Sequence, residues 1–307
     1  MPVTSTALPT FTTPFISVKP VVLPAPDRGD DLQVRVTAPA SGTGLPIVVL
    51  AHGFSGSMSA YDPLVDFWAG NGLVVVQPTF LDSLTLGLTP ADPRYADIWR
   101  FRVQDVQRVL DDLDQVLAAV PGLAGRTSPD RIAVAGHSWG AQTVGMLLGA
   151  RVIGADGPGP NLRDPRVKAG VLFAATGHGG DDLTPFAQEN FGAFMSPDFT
   201  ELTTPILTVA GDHDQSLLGT RGPDWFTDVH HHSPGARALL TLFGGEHSLG
   251  GIHGYNATDT TDESPARVAL IRRASAAFLH DVLGGDDLAW KRLQAEDLDP
   301  VGRLDVK

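Results

Sequence analysis

Residues 132–150 of the chain read IAVAGHSWGAQTVGMLLGA, and this stretch decides the fold. Four apolar residues run as a short buried strand into Gly136, and small and apolar residues after Gly140 continue as a helix. The turn between them fits the pattern G-x-S-x-G, with Ser138 at its centre. A strand, a tight turn and a helix in this order lift a serine hydroxyl clear of the sheet edge. Ser138 is therefore predicted to be a nucleophile, against the alternative of an incidental serine in a glycine-rich turn.

Apolar runs recur on both sides of this stretch and alternate with helical patterns. The other predicted strands are 15–23, 32–37, 46–51, 73–76, 167–175, 205–210 and 236–243, and the other predicted helices are 61–69, 97–120 and 265–283. This alternation predicts an α/β fold with a mainly parallel central sheet and helices on both faces. We expect a single domain over residues 1–307, with 177–204 as a short lid segment between two strands.

The composition excludes several classes of protein. With 22 Lys and Arg against 35 Asp and Glu, the net charge of −13 argues against nucleic acid and anionic membrane surfaces as partners. The chain has no cysteine, which excludes disulfides, thiolate metal sites and a cysteine nucleophile. No apolar run approaches about 18 residues, so we expect no membrane span. The opening Met1–Pro9 lacks a signal-peptide pattern, so we expect a cytoplasmic protein, although a mature secreted form would look the same. No pattern indicates an oligomeric state.

A serine hydroxyl is a weak nucleophile until a neighbouring base accepts its proton. Predicted strand 205–210 is followed by the letters GDHD, and predicted strand 236–243 by GGEH. Acid and base candidates therefore follow later strands, in the chain order Ser, acid, His that this arrangement requires. Asp212 and Asp214 are the candidates for the acid, and His247 and His253 those for the base.

In these motifs the chain resembles the α/β-hydrolase superfamily. The resemblance implies an α/β-hydrolase fold. The similarity lies in its bacterial serine esterase branch, near dienelactone hydrolases, chlorophyllases, platelet-activating-factor acetylhydrolases and polyester hydrolases, and covers residues 32–283. Dienelactone hydrolases proper carry a cysteine nucleophile, which this chain lacks. In such proteins the acid usually stands three residues after the glycine that closes its strand, which selects Asp214. The histidine usually follows the last strand directly, which selects His247.

Ester cleavage also needs donors for the negative charge that develops on the carbonyl oxygen. The N–H of Trp139, directly after the nucleophile, is predicted to be one of them. The resemblance points to the N–H of Phe54, which follows His-Gly in the loop after predicted strand 46–51, as the other. Met58 and Leu249 lie in segments expected to border the site, and we assign them to an apolar substrate pocket.

The other histidines have simpler interpretations. His230, His231 and His232 look like a metal-binding cluster, but consecutive residues cannot easily converge on one ion, so we predict a solvated loop and no metal. The side chain of His137 diverges from that of Ser138, so we expect it to pack or to hydrogen-bond rather than to react. The chemistry requires no cofactor.

The sequence thus predicts a serine esterase that cleaves small to medium apolar carboxylic esters through Ser138, His247 and Asp214 and an acyl-enzyme. Because one fold hosts several functions, two alternatives stay open. The chain could be a non-catalytic ligand-binding protein of the same fold, or a perhydrolase or thioesterase that uses the same triad.

Overall fold

A computed structural model describes residues 13–154, 157–255, 260–285 and 287–307 of the chain. The opening residues on which the expectation about a secretory leader rests lie outside these ranges. Within them, no helix is both long and apolar enough to cross a membrane.

The strands of the described residues fall into one large sheet and one small one. In chain order they are β1 Phe15–Leu23, β2 Leu32–Pro39, β3 Leu45–Ala51, β4 Val74–Pro78, β5 Thr127–His137, β6 Arg151–Gly154, β7 Gly157–Pro158, β8 Val167–Phe173, β9 Pro197–Asp198, β10 Ile206–Gly211, β11 Ala236–Leu242 and β12 Gly302–Val306. The large sheet has the order β1-β2-β4-β3-β5-β8-β10-β11-β12, and the small one β7-β6-β9. From β4 to β11 every neighbouring pair in the large sheet is parallel, whereas β1, β2 and β12 pair antiparallel at its edges.

Helices cover both faces of the large sheet, which confirms the predicted fold class. They are α1 Asp62–Gly70, α2 Ile98–Asp111, α3 Leu113–Ala118, α4 Trp139–Leu148, α5 Pro185–Phe191, α6 Asp228–His232, α7 Pro265–Val282 and α8 Leu288–Gln294. Helices α1 and α7 pack against each other, and α2 packs against α4. The indole N–H of Trp68 in α1 donates to Ser275 Oγ in α7 at 3.0 Å, which links the first pair of helices across their buried faces.

The central strands are mainly apolar where helices cover them on both sides. All residues of β3, β4 and β10 are buried. Burying one Val, Leu or Ile side chain stabilises a fold by about 1.5–3 kcal/mol, so the sheet holds the carboxyl ends of these strands in fixed positions. The loops at those ends carry the candidate site residues.

Several elements differ from the sequence-based expectation, and β6, β7, β9, α5, α6, α8 and β12 lie outside every predicted strand and helix. The predicted helix 97–120 is divided, because α2 ends at Asp111 and α3 begins at Leu113. Aspartates at 111, 112 and 114 are weak helix formers, and their side chains compete for backbone hydrogen bonds. Strand β12 was missed because Gly302–Val306 has no apolar run, and pairing with β11 alone defines it as a strand.

Candidate active site

Ser138 lies between the end of β5 and the start of α4, in a backbone conformation that side-chain-bearing residues rarely adopt. Its φ is 55° and its ψ is −121°. Such a conformation costs free energy and persists only where the surroundings enforce it. Here the N–H of Ser138 donates to the carbonyl of Phe173 in β8 at 2.9 Å, and its carbonyl accepts from the N–H of Gln142 in α4. The turn therefore presents the hydroxyl at the carboxyl edge of the sheet.

The two glycines of the motif allow this turn to close. A Cβ built on Gly136 would lie 2.2 Å from the carbonyl oxygen of Gly140, and one built on Gly140 would lie 2.2 Å from that of Ala51. Both positions therefore exclude any side chain unless the backbone moves. The second contact also brings the end of β3, and with it the loop that carries Phe54, directly against the first turn of α4.

The structure brings three of the predicted site residues into one series of hydrogen bonds. His247 Nε2 lies 2.9 Å from Ser138 Oγ, and His247 Nδ1 lies 3.0 and 3.1 Å from the two carboxylate oxygens of Asp214. Because the carboxylate can only accept, Nδ1 carries the hydrogen and Nε2 is left to accept from the serine hydroxyl. Burial raises the pKa of Asp214, and the hydrogen bond from His247 opposes that rise.

His137 lies behind this series and holds the backbone of His247. Its Nε2 donates to the carbonyl of His247 at 2.8 Å, so its Nδ1 can accept from the hydroxyl of Tyr61 at 3.1 Å. Burial lowers the pKa of His137 well below its usual range, which keeps the ring neutral. The Tyr61 hydroxyl in turn accepts from the N–H of Gly53 at 3.0 Å. His253 Nε2 lies 3.2 Å from His137 Nδ1, so that ring contacts His137.

The two predicted oxyanion donors lie on adjoining segments. The rings of Phe54 and Trp139 are 4.8 Å apart, centroid to centroid. No hydrogen bond among the described residues uses the N–H of either residue. Both N–H groups can therefore donate to a new acceptor, as an oxyanion site requires.

An aromatic wall continues from Trp139 into segment 177–204. The Trp139 ring packs edge-on against Phe191 and Phe194, each with a centroid separation of 5.4 Å, and Trp99 stacks on Phe194 at 6.3 Å. Phe54 borders the same wall and is 46% exposed. Phe191 and Phe194 were not among the predicted site residues, although the four phenylalanines in this segment were a signal for them.

The two residues predicted to line a pocket lie in different surroundings. Met58 is half-buried, and its N–H donates to Thr79 Oγ1 at 3.1 Å. Leu249 is fully buried within the hydrophobic core. Their assignment to a substrate pocket stays a prediction.

The interpretation of His230, His231 and His232 as a solvated loop was wrong. These residues end helix α6, which packs on β10 and β11, and His230 is buried there while His231 and His232 are exposed. Burial lowers the pKa of His230 to about 4. Over the ranges that the structure describes, no three His, Asp or Glu side chains are grouped so as to hold a metal ion.

Residues 17–151 of the chain match a family model described as Chlorophyllase. This region runs from within β1 to the first residue of β6 and includes Phe54, Ser138 and Trp139. The chain has the α/β-hydrolase fold. The family match supports a serine hydrolase that acts on esters. A search of curated proteins finds no match to the chain.

Three buried polar residues around the candidate site were missed in the sequence. Tyr61 has the pattern of an ordinary helix-start aromatic, and Asp82 and Arg102 look like surface charges, yet all three side chains are buried. Asp82 and Arg102 pair with each other beside the Phe54 loop. The burial of each depends on partners far away in the chain, which no local pattern reveals.

Proposed function

We propose that the chain hydrolyses carboxylic esters, with Ser138 as nucleophile, His247 as general base and Asp214 as the residue that orients His247. The observation that carries the proposal is the series of hydrogen bonds from Ser138 Oγ through His247 to Asp214 at a G-x-S-x-G turn. This is the arrangement in which a histidine can take the serine proton while a buried carboxylate holds its tautomer.

In the first half of the reaction, Ser138 Oγ forms a bond to the ester carbonyl carbon as its proton passes to His247 Nε2. The carbonyl oxygen becomes an oxyanion that the N–H groups of Phe54 and Trp139 stabilise, each contributing about 3–4 kcal/mol to lowering the barrier. The carbon–oxygen bond to the alcohol then breaks, and His247 returns the proton to the leaving alcohol. Ser138 is left as an acyl ester.

In the second half, His247 Nε2 takes a proton from a water molecule as its oxygen attacks the acyl carbon. The same two N–H groups stabilise the second oxyanion. Its collapse breaks the bond to Ser138 Oγ, which recovers its proton from His247, and the carboxylic acid leaves. The two half-reactions together consume the ester and one water molecule and need no other co-reactant.

Small to medium apolar esters are the proposed substrates. The aromatic wall of Phe54, Trp139, Phe191 and Phe194 beside the nucleophile supports an apolar acyl or alcohol group, because burying its surface there is favourable by about 25 cal/mol per Å². Segment 177–204 supplies two of these rings, so we assign it the part of a short lid within one domain of residues 1–307.

The test is the substitution Ser138→Ala, with Ser233→Ala as a control at a buried serine outside the site. We expect hydrolysis of p-nitrophenyl esters to fall by about 10⁶-fold and fluorophosphonate labelling to disappear in Ser138→Ala only. Full turnover by folded Ser138→Ala protein would refute the proposal. A wild-type chain that binds esters without turnover would favour the non-catalytic function, and faster turnover of matching thioesters would favour a thioesterase.

A further inference from the structure

A buried ion pair lies beside the loop that carries Phe54. Arg102 is in α2, and Asp82 is in the turn that follows β4. Arg102 Nη1 donates to both carboxylate oxygens of Asp82 at 2.7 Å, and their side chains are 1% and 0% exposed. Burial acts to raise the pKa of Asp82, but Arg102, His52 and the hydrogen bonds outweigh it, so the carboxyl stays ionised.

The pair holds the loop on both sides of Phe54. Arg102 Nη2 donates to the carbonyl of His52, and Asp82 Oδ2 accepts from the N–H of Ser55 at 3.1 Å. His52 lies two residues before Phe54, and Ser55 lies directly after it. The peptide groups around the Phe54 N–H are therefore fixed by one guanidinium and one carboxylate.

The same guanidinium reaches the first turn of α4. Arg102 Nε donates to Thr143 Oγ1 at 3.1 Å, and that hydroxyl donates to the carbonyl of Trp139 at 2.8 Å. Arg102 thus bonds through Nη1, Nη2 and Nε to three different elements. Only a guanidinium offers donors in such a rigid fork, and the ammonium group of lysine does not.

We propose that Arg102 and Asp82 are positioning residues that set the separation between the N–H groups of Phe54 and Trp139. The proposal rests on the proposed ester hydrolysis, in which both groups bind the oxyanion. Oxyanion donors must lie about 2.7–3.1 Å from the developing charge. A misplacement of about 1 Å at a reacting centre can cost about a hundredfold in rate.

The same helix offers a matched control. Asp105 of α2 pairs with Arg28 at 2.7 Å, and the side chains are 2% and 1% exposed. Arg28 ends the short turn before β2, and the hydrogen bonds of this pair reach neither the Phe54 loop nor α4 within the described residues. The two pairs are therefore alike in residue type, distance and burial. They differ in what they hold and in the carboxyl pKa, which burial raises to about 7 in Asp105 and which is lowered in Asp82.

The experiment compares two double variants, Arg102→Met with Asp82→Leu and Arg28→Met with Asp105→Leu. Both charges of a pair are removed together because a single substitution leaves an unpaired buried charge, which is strongly destabilising. The measurements are kcat and KM for a p-nitrophenyl ester and the inhibition constant of an alkyl boronic acid, whose tetrahedral adduct with Ser138 places an anionic oxygen at the oxyanion site.

We expect the first double variant to lose about a hundredfold in kcat and in boronate affinity, with KM within about threefold of wild type. We expect the control to stay within about threefold in all three quantities. Equal losses in both variants, or none in the first, would overturn the proposal. A wild-type chain without ester turnover or Ser138 labelling would instead overturn the proposed function.

Single variants that keep a hydrogen-bonding side chain beside the remaining charge give a second test, made on protein that circular dichroism shows to be folded, because the remaining buried charge lowers stability. Asp82→Asn retains the shape of the side chain, and we expect a loss of about tenfold or more in kcat, compared with no loss in Asp105→Asn. Arg102→Lys retains the charge without the fork and should not restore wild-type kcat. Wild-type kcat in both Asp82→Asn and Arg102→Lys would contradict a positioning role.

Discussion

The loop after β10 carries two aspartates, and the loop after β11 carries two histidines. The two members of each pair differ in their exposure and in their hydrogen-bond partners. In the β10 loop, the Asp214 side chain is fully buried and bonds His247, whereas the Asp212 side chain is 39% exposed. Asp212 Oδ1 instead accepts from the N–H of Gly244 at 2.6 Å, which ties the β10 loop to the β11 loop.

The histidines of the β11 loop divide in the same way. His247 extends towards Ser138 with a side chain that is 41% exposed, while His253 packs against His137 and Tyr61. Each loop therefore contributes one residue to the series of hydrogen bonds that ends at Ser138 and one that contacts the supporting structure. Distance from the strand end does not by itself decide which candidate joins the series. In the β10 loop it is the second candidate, Asp214, and in the β11 loop it is the first, His247.

The largest expected difference is between His247→Ala and His253→Ala. Removing the proposed base should lower kcat/KM for a p-nitrophenyl ester by about 10⁶-fold, since the serine and the histidine act as a unit. His253→Ala should cost about tenfold or less, because the contacts of this ring to His137 and Tyr61 lie behind the series of hydrogen bonds that ends at Ser138. Circular dichroism would show that both variants are folded. Equal losses of kcat/KM in the two variants would mean that neither histidine of the β11 loop is the general base by itself.

The aspartates should differ by less. We expect Asp214→Asn to lower kcat by about 10⁴-fold, because an amide in place of the carboxylate favours the wrong tautomer of His247. Asp212→Asn should stay within about tenfold, since an amide oxygen can still accept from the N–H of Gly244. Steady-state kinetics on the same ester separates the two. Comparable values for both variants would leave the acid unassigned.

The pattern of apolar runs was sufficient to predict the fold class, because parallel strands that helices cover on both faces are mainly apolar. Gly136 and Gly140 allowed the turn around Ser138 to be predicted, since no other residue fits at these two positions. The residues alone could not choose between Asp212 and Asp214, because both lie in the loop after the strand, and the resemblance selected Asp214. Arg102 stayed hidden because its partners Asp82 and His52 are 20 and 50 residues away in the chain. His230 was misjudged because burial in a short helix depends on packing against β10 and β11.

The smallest expected effect concerns the pH dependence of stability. It compares the buried His52 with the exposed His213 of the β10 loop. Burial, and then the charge of Arg102, lowers the pKa of His52 to about 4 from the 6.5 of an exposed histidine. Its Nε2 accepts from the N–H of Phe80 at 3.0 Å, a bond that protonation would break. The side chain of His213, in contrast, is 70% exposed.

A pKa that is lower in the folded chain than in the unfolded chain makes stability depend on pH in a defined direction. Above pH 6.5 both states hold His52 neutral, and the full stability is present. As the pH falls towards 4, only the unfolded state takes up the proton, so the free energy of unfolding decreases, by up to about 3 kcal/mol from this residue. Urea unfolding between pH 7 and 4.5 measures the loss. His52→Gln should make the slope smaller and leave the shares of His137 and His230, whose pKa values burial also lowers. His213→Gln should leave the slope as it is, and an unchanged slope in His52→Gln would show that its ring does not contribute.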